Sequence, residues 1–339
     1  MCLSLIIFKI KATKGGLKWE GKFVYIIAKD KYLDYLNEGP LRYLPKRFYK
    51  KLDNKIKPRI VCKYKKDDNL IGYGVGITTK NIVSDKEYIK RVTKALELIN
   101  LKDINTIYSE RFNNLNILDI IDFEENTNIK ISDGTAIKVK LIPFVLKSIL
   151  KIKKEYLSEK EILIISNDTK DIINLTLNLA KESKFITILS NNQNFFTSLE
   201  EKVLLDTGLV VHVIKNIKNI NKYDIIINFK DILISKNKIK GKKIIFDLTR
   251  GRNKHIEFIR KDLFIANDFL LKNPKKVICD DKNFNFNNTI DTGLYNLLYG
   301  DVSLLSTHVL IRNNRYTIKE ACDLFLNKGL LQSNFLKKP

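Results

Sequence analysis

The feature that most constrains the fold is a series of short, continuously apolar segments in the second half of the chain, alternating with helical or turn segments. The apolar segments cover 161–166, 185–190, 209–214, 223–228 and 243–248. An uninterrupted apolar run such as EILIIS is typical of a strand buried on both faces of a parallel sheet. Strand–helix alternation at this spacing predicts a doubly wound α/β domain, whose ligands bind beyond the carboxyl ends of the strands.

The first half of the chain also contains segments that favour strands. They are FVYIIA at 23–28, RIVCKY at 59–64, LIGYGVGIT at 70–78, INTIYS at 104–109 and IKI at 129–131. Three glycines, Gly72, Gly74 and Gly76, alternate along the third segment and predict a bend or a close backbone approach.

Two helices are predicted in the first half of the chain, one between the third and fourth of these strands and one after the fifth. In 85–101 the apolar residues recur at helical spacing on one face, with Ser84 or Asp85 as the N-terminal cap. The segment 134–152 also has a helical pattern, and Pro143 lies inside it, so a kink or a break is expected there.

The chain of 339 residues is long enough for about two domains. We predict the fold class α/β: an N-terminal α/β, substrate-type domain over 22–152, then a doubly wound Rossmann-like, NAD(P)-binding-type domain with a parallel sheet over 153–284. Residues 1–21 are expected to form an extension of uncertain order, and whether they belong to the native protein stays open. Residues 285–339 are expected to form helices that pack back on the N-terminal domain.

The formal net charge of +23 raises the question of an anionic partner. Most of the excess is lysine in a chain rich in Ile and Asn, a composition typical of an AT-rich genome, so part of the charge can be drift. The densest basic stretch, 46–59, predicts either a solvated helix face or a polyanion-binding surface formed by Lys46, Arg47, Lys50 and Lys51. Nucleic acid is not expected as the main partner.

The cysteines lie far apart in the sequence, and the chain has only three histidines. The cysteines are Cys2, Cys62, Cys279 and Cys322, and the histidines are His212, His255 and His308. Without a CxxC pair no metal site is expected, and a reduced, cytoplasmic setting fits this usage. No apolar run approaches the roughly 20 residues that span a bilayer, and no signal peptide is expected at the start of the chain.

Several collinear stretches between about 22 and 300 resemble one family. FVYIIAKDKYLDYLNEGPLRYLPKRFYKKLDNKIKP, LIGYGVGITTKNIVSDKEYIKRVTKALELI, IKISDGTAIKV and KGKKIIFDLTRGRN are similar to blocks of the long-chain acyl-(acyl carrier protein) reductases. Close bacterial relatives of these enzymes are known as predicted amino-acid dehydrogenases. The resemblance implies an NADPH-dependent reductase, in which a cysteine takes the acyl group as a thioester and hydride then releases an aldehyde.

The turn expected to hold the cofactor's pyrophosphate follows the strand ending at Ser166 and contains Asn167, Asp168 and Thr169. Rossmann turns use glycines so that the backbone can bend tightly and approach the phosphates, and this turn has none. Asp168 and Asp171 instead place negative charge at a helix N-terminus, which stabilises the helix but opposes a bound phosphate. The turn is therefore either a degenerate cofactor site or an ordinary helix cap.

The remaining cofactor positions also depart from the family pattern. Ser190 and Asn191 stand where an acid or an arginine would contact the ribose. Beside Asn228, Phe229 and Lys230 replace small residues near the nicotinamide, although Phe229 is expected to turn into the core.

One strand end keeps part of the family pattern. Asp247, Thr249 and Arg250 follow a predicted strand of the second domain. Arg250 is the best remaining anion contact, unless it only pairs with Asp247 to hold the turn.

The catalytic and substrate positions differ from the family in the same way. The family's cysteine aligns with Thr289, which has no adjacent base, and Cys279 is the only other thiol in reach; it is either a substitute nucleophile or a small buried hydrophobic residue. A substrate cleft is expected at Asp133, Gly134, Thr135 and Thr289, although Asp133 can also act only as a helix cap.

Scaffold segments thus resemble the family, whereas the segments that would carry its chemistry do not. We expect a degenerate, catalytically inactive relative with a binding or regulatory role, no cofactor, and an unknown small molecule or an acyl carrier protein as partner. The alternative is an active, NADP(H)-dependent oxidoreductase acting on an acyl thioester or a related carbonyl compound. A third hypothesis is a polyanion-binding module, and the oligomeric state stays open.

Overall fold

The structure is a computed structural model that describes residues 22–38, 43, 56–78, 84–99, 103–166, 170–230, 239–249, 263–300, 306–311 and 314–327. The strands are β1 (Lys22–Ile27), β2 (Arg59–Lys66), β3 (Asn69–Gly76), β4 (Ile104–Tyr108), β5 (Lys130–Ile131), β6 (Glu161–Ile165), β7 (Phe185–Leu189), β8 (His212–Ile214), β9 (Ile225–Asn228), β10 (Ile244–Asp247), β11 (Phe264–Ala266), β12 (Asp268–Lys272), β13 (Val277–Cys279), β14 (Thr289–Asp291), β15 (Ser306–Ile311) and β16 (Asn314–Tyr316). The helices are α1 (Lys29–Glu38), α2 (Asp85–Ile99), α3 (Ile117–Thr127), α4 (Thr135–Lys153), α5 (Lys170–Ala180), α6 (Gln193–Thr207), α7 (Thr292–Tyr299) and α8 (Ile318–Cys322).

The described residues form two compact units, each built from separate stretches of chain. The first unit comprises 22–134 and 273–300, and the second, here called the Rossmann-like unit, comprises 135–272 and 306–327. These divisions differ from the predicted domain boundaries. Helix α4 belongs with the Rossmann-like unit, because it packs against α5 and α8. The segment after β12 is split, since β13 pairs with β2 of the first unit whereas β15 pairs with β12.

The sheet of the first unit has the order β13-β2-β3-β1-β4-β5. Strands β1, β3, β4 and β5 are parallel, β2 runs antiparallel to β3, and β13 runs antiparallel to β2. One face of this sheet is aliphatic, with Val24, Ile26 and Ile107 packed against helices α2 and α3. The Ser84 hydroxyl accepts a hydrogen bond from the Glu87 N–H at 3.2 Å, which confirms the predicted cap of α2.

The opposite face of the same sheet is aromatic, because the glycines of β3 leave room on it. A Cβ at Gly72, Gly74 or Gly76 would overlap the Phe23 ring, the Cys62 sulfur or the Tyr32 ring, respectively. The predicted close approach at these glycines is therefore confirmed. On the same face the Phe286 ring stacks on Tyr64 at 4.8 Å and meets Tyr25 edge-on at 5.3 Å, so the returning segment covers this layer.

The Rossmann-like unit contains a six-stranded parallel sheet with the order β11-β10-β9-β6-β7-β8. Read along the chain, this is the 3-2-1-4-5-6 order of doubly wound dinucleotide-binding domains. Its central strands are buried on both faces, as their continuous apolar sequences predict. The predicted α/β class, with a Rossmann-like parallel sheet in the second half of the chain, is confirmed.

Helix α4 runs through Pro143 without a break. Most of its side chains are buried, and Lys138 reaches Asp268 of β12 at 4.0 Å inside the unit. The burial of side chains before and after Pro143 therefore compensates for the loss of the backbone hydrogen bond that proline removes. None of the helices in the described ranges is long and apolar enough to cross a membrane.

Candidate functional site

The carboxyl edge of the Rossmann-like sheet brings several predicted site residues together. The strand order reverses between β6 and β9, and ligands of open α/β sheets bind beside this switch point. Ser166 follows β6, and Asn228 ends β9; their exposed fractions are 2% and 0%. The Phe229 N–H donates to the Ile165 carbonyl at 2.9 Å, which extends the β6–β9 pairing to this edge.

Asn228, Asp247 and Thr249 form a hydrogen-bonded cluster, called here the strand-end cluster. Asn228 Nδ2 and the Thr249 hydroxyl both donate to Asp247 Oδ1, at 3.2 Å and 3.1 Å. Asn228 Oδ1 accepts from the backbone N–H of Lys230 at 3.2 Å. These hydrogen bonds join the ends of β9 and β10. They use side-chain groups that a ligand at this edge would also need.

At the ribose position the structure contains a local turn. The Ser190 hydroxyl accepts from the Asn192 N–H at 3.0 Å, and Asn191 is exposed. The next acid along the chain, Glu200, accepts from the Val213 N–H at 3.2 Å and so holds α6 to β8. Glu200, the one acid in the sequence of 190–200, is thus used in holding α6 to β8, and the prediction for the ribose position stays a prediction.

Several predicted positions lie outside the described residues. They are Asn167, Asp168, Thr169, Arg250, Lys46, Arg47, Lys50 and Lys51. The predictions for the glycine-free turn and for the basic stretch therefore stay predictions. Phe229 is described and is partly buried, so it enters the core only in part.

In the first unit, the connection from β5 to α4 packs against the start of α7. Gly134 has a φ of +71°, and a Cβ there would overlap the Thr292 backbone. The Ser132 hydroxyl donates to the Gly293 carbonyl at 2.7 Å. The structure thus joins two sequence regions of the predicted substrate cleft, around Asp133–Gly134 and after Thr289. Sequence reasoning missed Ser132 and Gly293, for which no local pattern gives a signal.

A group of acids and phenols lies at the carboxyl end of β4. The Tyr108 hydroxyl donates to Asp291 Oδ2 at 2.5 Å, and Asp291 Oδ1 caps α7 by accepting from the Leu294 N–H at 2.9 Å. The Tyr25 ring stacks on that of Tyr108 at 6.2 Å. Burial, and then the charges of Glu110 and Asp291, raise the pKa of Tyr25, so this phenol stays protonated.

Glu110 has an unusual environment for an exposed side chain. Surrounding protein atoms displace water from its carboxylate and raise its pKa; Asp291 raises that pKa further, and Lys31 partly opposes both effects. A carboxyl group of this kind holds its proton closer to neutral pH than an ordinary glutamate. With Tyr25 and Tyr108 beside Asp291, the group provides hydrogen-bond donors as well as acceptors at this edge.

Cys279, predicted as either a substitute nucleophile or a buried hydrophobic residue, is buried in the sheet of the first unit. Its exposed fraction is 4%, and the strand register aligns it with Tyr64, Gly72 and Phe23, near the start of β1. Cys62 shares a hydrogen bond with it, which lowers the pKa of the Cys279 thiol and raises that of Cys62. The sequence gives no signal for this pair, because nothing local connects β2 with β13.

No family model matches the chain, and neither does any curated protein. Among solved structures, similarity extends to a shikimate dehydrogenase in complex with NADP+, at 12% identity over 72% of this chain and 84% of that one, with a TM-score of 0.29. An L-tryptophan dehydrogenase from Nostoc punctiforme is 13% identical over 70% of this chain and 66% of that one, with a TM-score of 0.30.

An ornithine carbamoyltransferase from Pyrococcus furiosus is similar at a comparable level, with 8% identity over 69% of this chain and 75% of that one and a TM-score of 0.25. Likenesses this remote assign no reaction. The strand order itself identifies the unit formed by 135–272 and 306–327 as a Rossmann-like α/β fold.

Proposed function

We propose that the chain is a degenerate relative of the NADPH-dependent acyl-(acyl carrier protein) reductases that binds a small molecule or an acyl carrier protein without reducing a substrate. The strand-end cluster is the observation that carries this proposal. Asn228 is buried at the switch point and Asp247 at the end of the neighbouring strand β10, and hydrogen bonds join them to each other, to Thr249 and to the backbone of Lys230. A nicotinamide amide would have to break these bonds, and a buried polar group left unpaired costs about 1–3 kcal/mol.

The ribose position supports the same proposal. The ribose of a dinucleotide is usually held by an acid, or by an arginine for a 2′-phosphate, after the second strand. Here Ser190 is committed to its own turn, and Asn191 offers a neutral amide. Neutral hydrogen bonds contribute about 0.5–1.5 kcal/mol, roughly half of what charged ones contribute.

The position of Cys279 argues against thioester chemistry. A thiolate nucleophile must reach an acyl carbonyl, and Cys279 is enclosed in the sheet of the first unit. Thr289, which aligns with the family's cysteine, is partly buried at the start of β14. A threonine hydroxyl is a weaker nucleophile than a thiolate in this reaction.

Calorimetric titration with NADPH and with NADP+ tests the proposal. The expected result is no heat of binding at millimolar nucleotide, with a dinucleotide-dependent dehydrogenase as the reference in the same buffer. Thermal shifts measured with acyl thioesters and with acylated carrier protein then test the binding role. Micromolar binding of either nucleotide would overturn the proposal.

The second candidate is an active NADP(H)-dependent reductase of an acyl thioester or a related carbonyl compound. The 3-2-1-4-5-6 strand order favours it, because this order creates the crevice that dinucleotides use. Its test is oxidation of NADPH, followed by absorbance, with an acyl thioester present. If Cys279 is the nucleophile of this reaction, Cys279→Ser should abolish turnover while Cys322→Ser leaves it intact.

A further inference from the structure

Two cysteines and an aspartate of the first unit lie together at the β2–β13 edge of its sheet. The Sγ atoms of Cys62 and Cys279 and a carboxylate oxygen of Asp280 all lie within 4.8 Å of one another. Cys62 and Cys279 have exposed fractions of 2% and 4%, whereas Asp280 is exposed. The group is therefore buried on its sulfur side and open to solvent on its carboxylate side.

Neighbouring residues hold these three side chains in place. The absence of a Cβ at Gly74, on the adjacent strand, leaves the space that the Cys62 sulfur occupies. Asp280 Oδ1 accepts from the Lys63 N–H at 2.8 Å, and the Asp280 N–H donates to the Lys63 carbonyl at 3.1 Å. The Cys279 N–H donates to Asn285 Oδ1 at 3.2 Å. The three candidate metal ligands are thus held in place by the hydrogen bonds of the β2–β13 sheet edge.

The strand register distinguishes an ion site from a disulfide. Cys279 lies opposite Tyr64, so Cys62, two residues from Tyr64, is its diagonal neighbour. Diagonal neighbours are about 7–8 Å apart, whereas the Cα atoms of a disulfide are usually about 4.4–6.8 Å apart. Two sulfurs bound at about 2.3 Å to one tetrahedral zinc ion lie about 3.8 Å from each other, which diagonal cysteines reach without backbone movement.

We propose that Cys62, Cys279 and Asp280 bind a thiophilic divalent cation of the zinc class through two thiolates and one carboxylate. Both thiols lose their protons to solvent when the cation binds, because only the thiolate is a metal ligand. Two soft sulfur donors favour zinc over magnesium or calcium, which take oxygen ligands. The exposed Asp280 gives the cation a path to the buried sulfurs. This inference does not depend on the proposed function, because cation binding is measured without nucleotide or acyl substrate.

Cobalt(II) titration of the reduced, metal-stripped full-length chain tests this site. We expect a thiolate-to-cobalt charge-transfer band that saturates at one cobalt per chain and disappears when zinc is added. Cys62→Ser and Cys279→Ser should each abolish the band, and the matched variant Cys322→Ser, a buried cysteine of the other unit, should keep it.

Asp280→Asn provides a variant at an exposed position, where the fold is least affected. It should retain the native circular dichroism spectrum and weaken cobalt binding on the order of tenfold or more, since even indirect ligand partners contribute that much. Absence of the band in the wild-type chain, or its persistence in Cys62→Ser or Cys279→Ser, would overturn the proposal. So would mass spectrometry that finds Cys62 and Cys279 joined as a disulfide in the chain as purified.

Discussion

At the scale of single residues, the first unit concentrates acids and phenols around the end of β4. Tyr108 and Asp291 are joined by a hydrogen bond, and Glu110 lies close enough to Asp291 for its pKa to rise. Displacement of water from the Glu110 carboxylate raises its pKa most, and the neighbouring charge of Asp291 raises it further.

This raised pKa predicts how stability changes with pH. A glutamate whose folded-state pKa lies above its unfolded value contributes stability that is fully present below the unfolded pKa and lost as pH rises through the folded one. Glu110→Gln should therefore be more stable than wild type at pH 7, by less than about 1 kcal/mol because the group is exposed, and the gain should vanish near pH 4. Thermal unfolding at both pH values, with Glu125→Gln on an exposed helix surface as control, measures it. An equal gain at both pH values would contradict this explanation.

Gly72 makes a second residue-scale prediction. A Cβ at this position would lie 2.5 Å from the Phe23 ring. Gly72→Ala should therefore destabilise the chain by about 1–3 kcal/mol, the usual cost of overpacking. The double variant with Phe23→Leu should lose less than the two single variants combined, since the smaller side chain frees space. Strict additivity in urea unfolding would show that the ring contact is not the cause.

The sequence predicts some of these residues and not others, for physical reasons. The alternating glycines of β3 signal a close approach, because a missing side chain matters locally. The bond between Tyr108 and Asp291, 183 residues apart, and the pair Cys62–Cys279 depend on how distant strands meet. The strand-end cluster is an intermediate case. The sequence locates the carboxyl ends of the parallel strands, but it does not show which side chains form hydrogen bonds there.

At the scale of elements, the sequence predicts where strands form better than it predicts which of the two units each strand belongs to. Strands β6, β9 and β10 are buried on both faces, so uninterrupted apolar sequence marks them. The three-residue strand β13 is also apolar, but so short a run does not show that it completes the edge of the first sheet. The position of β13 in the sheet follows from its pairing with β2. No pattern within 277–279 predicts that pairing.

One side chain both caps the start of helix α7 and joins it to β4. Asp291 caps the helix and also accepts the bond from Tyr108. Asp291→Ala should cost about 1–3 kcal/mol, since it removes the cap of α7 and the hydrogen bond that Asp291 accepts from the Tyr108 hydroxyl. Asp291→Asn keeps an oxygen at the cap and should cost clearly less. Urea unfolding of both variants measures the difference, and equal losses would mean that the negative charge rather than the cap matters.

At the scale of the whole molecule, each unit needs chain segments that are distant in sequence. The first unit gains β13, Phe286 and α7 only after the chain has passed through β12. Phe286 covers the rings of Tyr25 and Tyr64, and Asp291 binds Tyr108. The aromatic face of its sheet is therefore completed by residues that 22–134 does not contain.

This dependence predicts how fragments of the chain behave. A fragment of residues 22–134 should fail to fold cooperatively, because its buried tyrosines would lose Phe286 and Asp291 as partners. Joining 273–300 to Gly134 through a flexible linker should restore a cooperative transition, measured by near-ultraviolet circular dichroism and urea unfolding. The matched control carries Phe286→Ala and Asp291→Ala in the joined segment and should melt without cooperativity. Cooperative unfolding of 22–134 alone would show that the aliphatic core against α2 and α3 suffices, and that the aromatic face contributes little to stability.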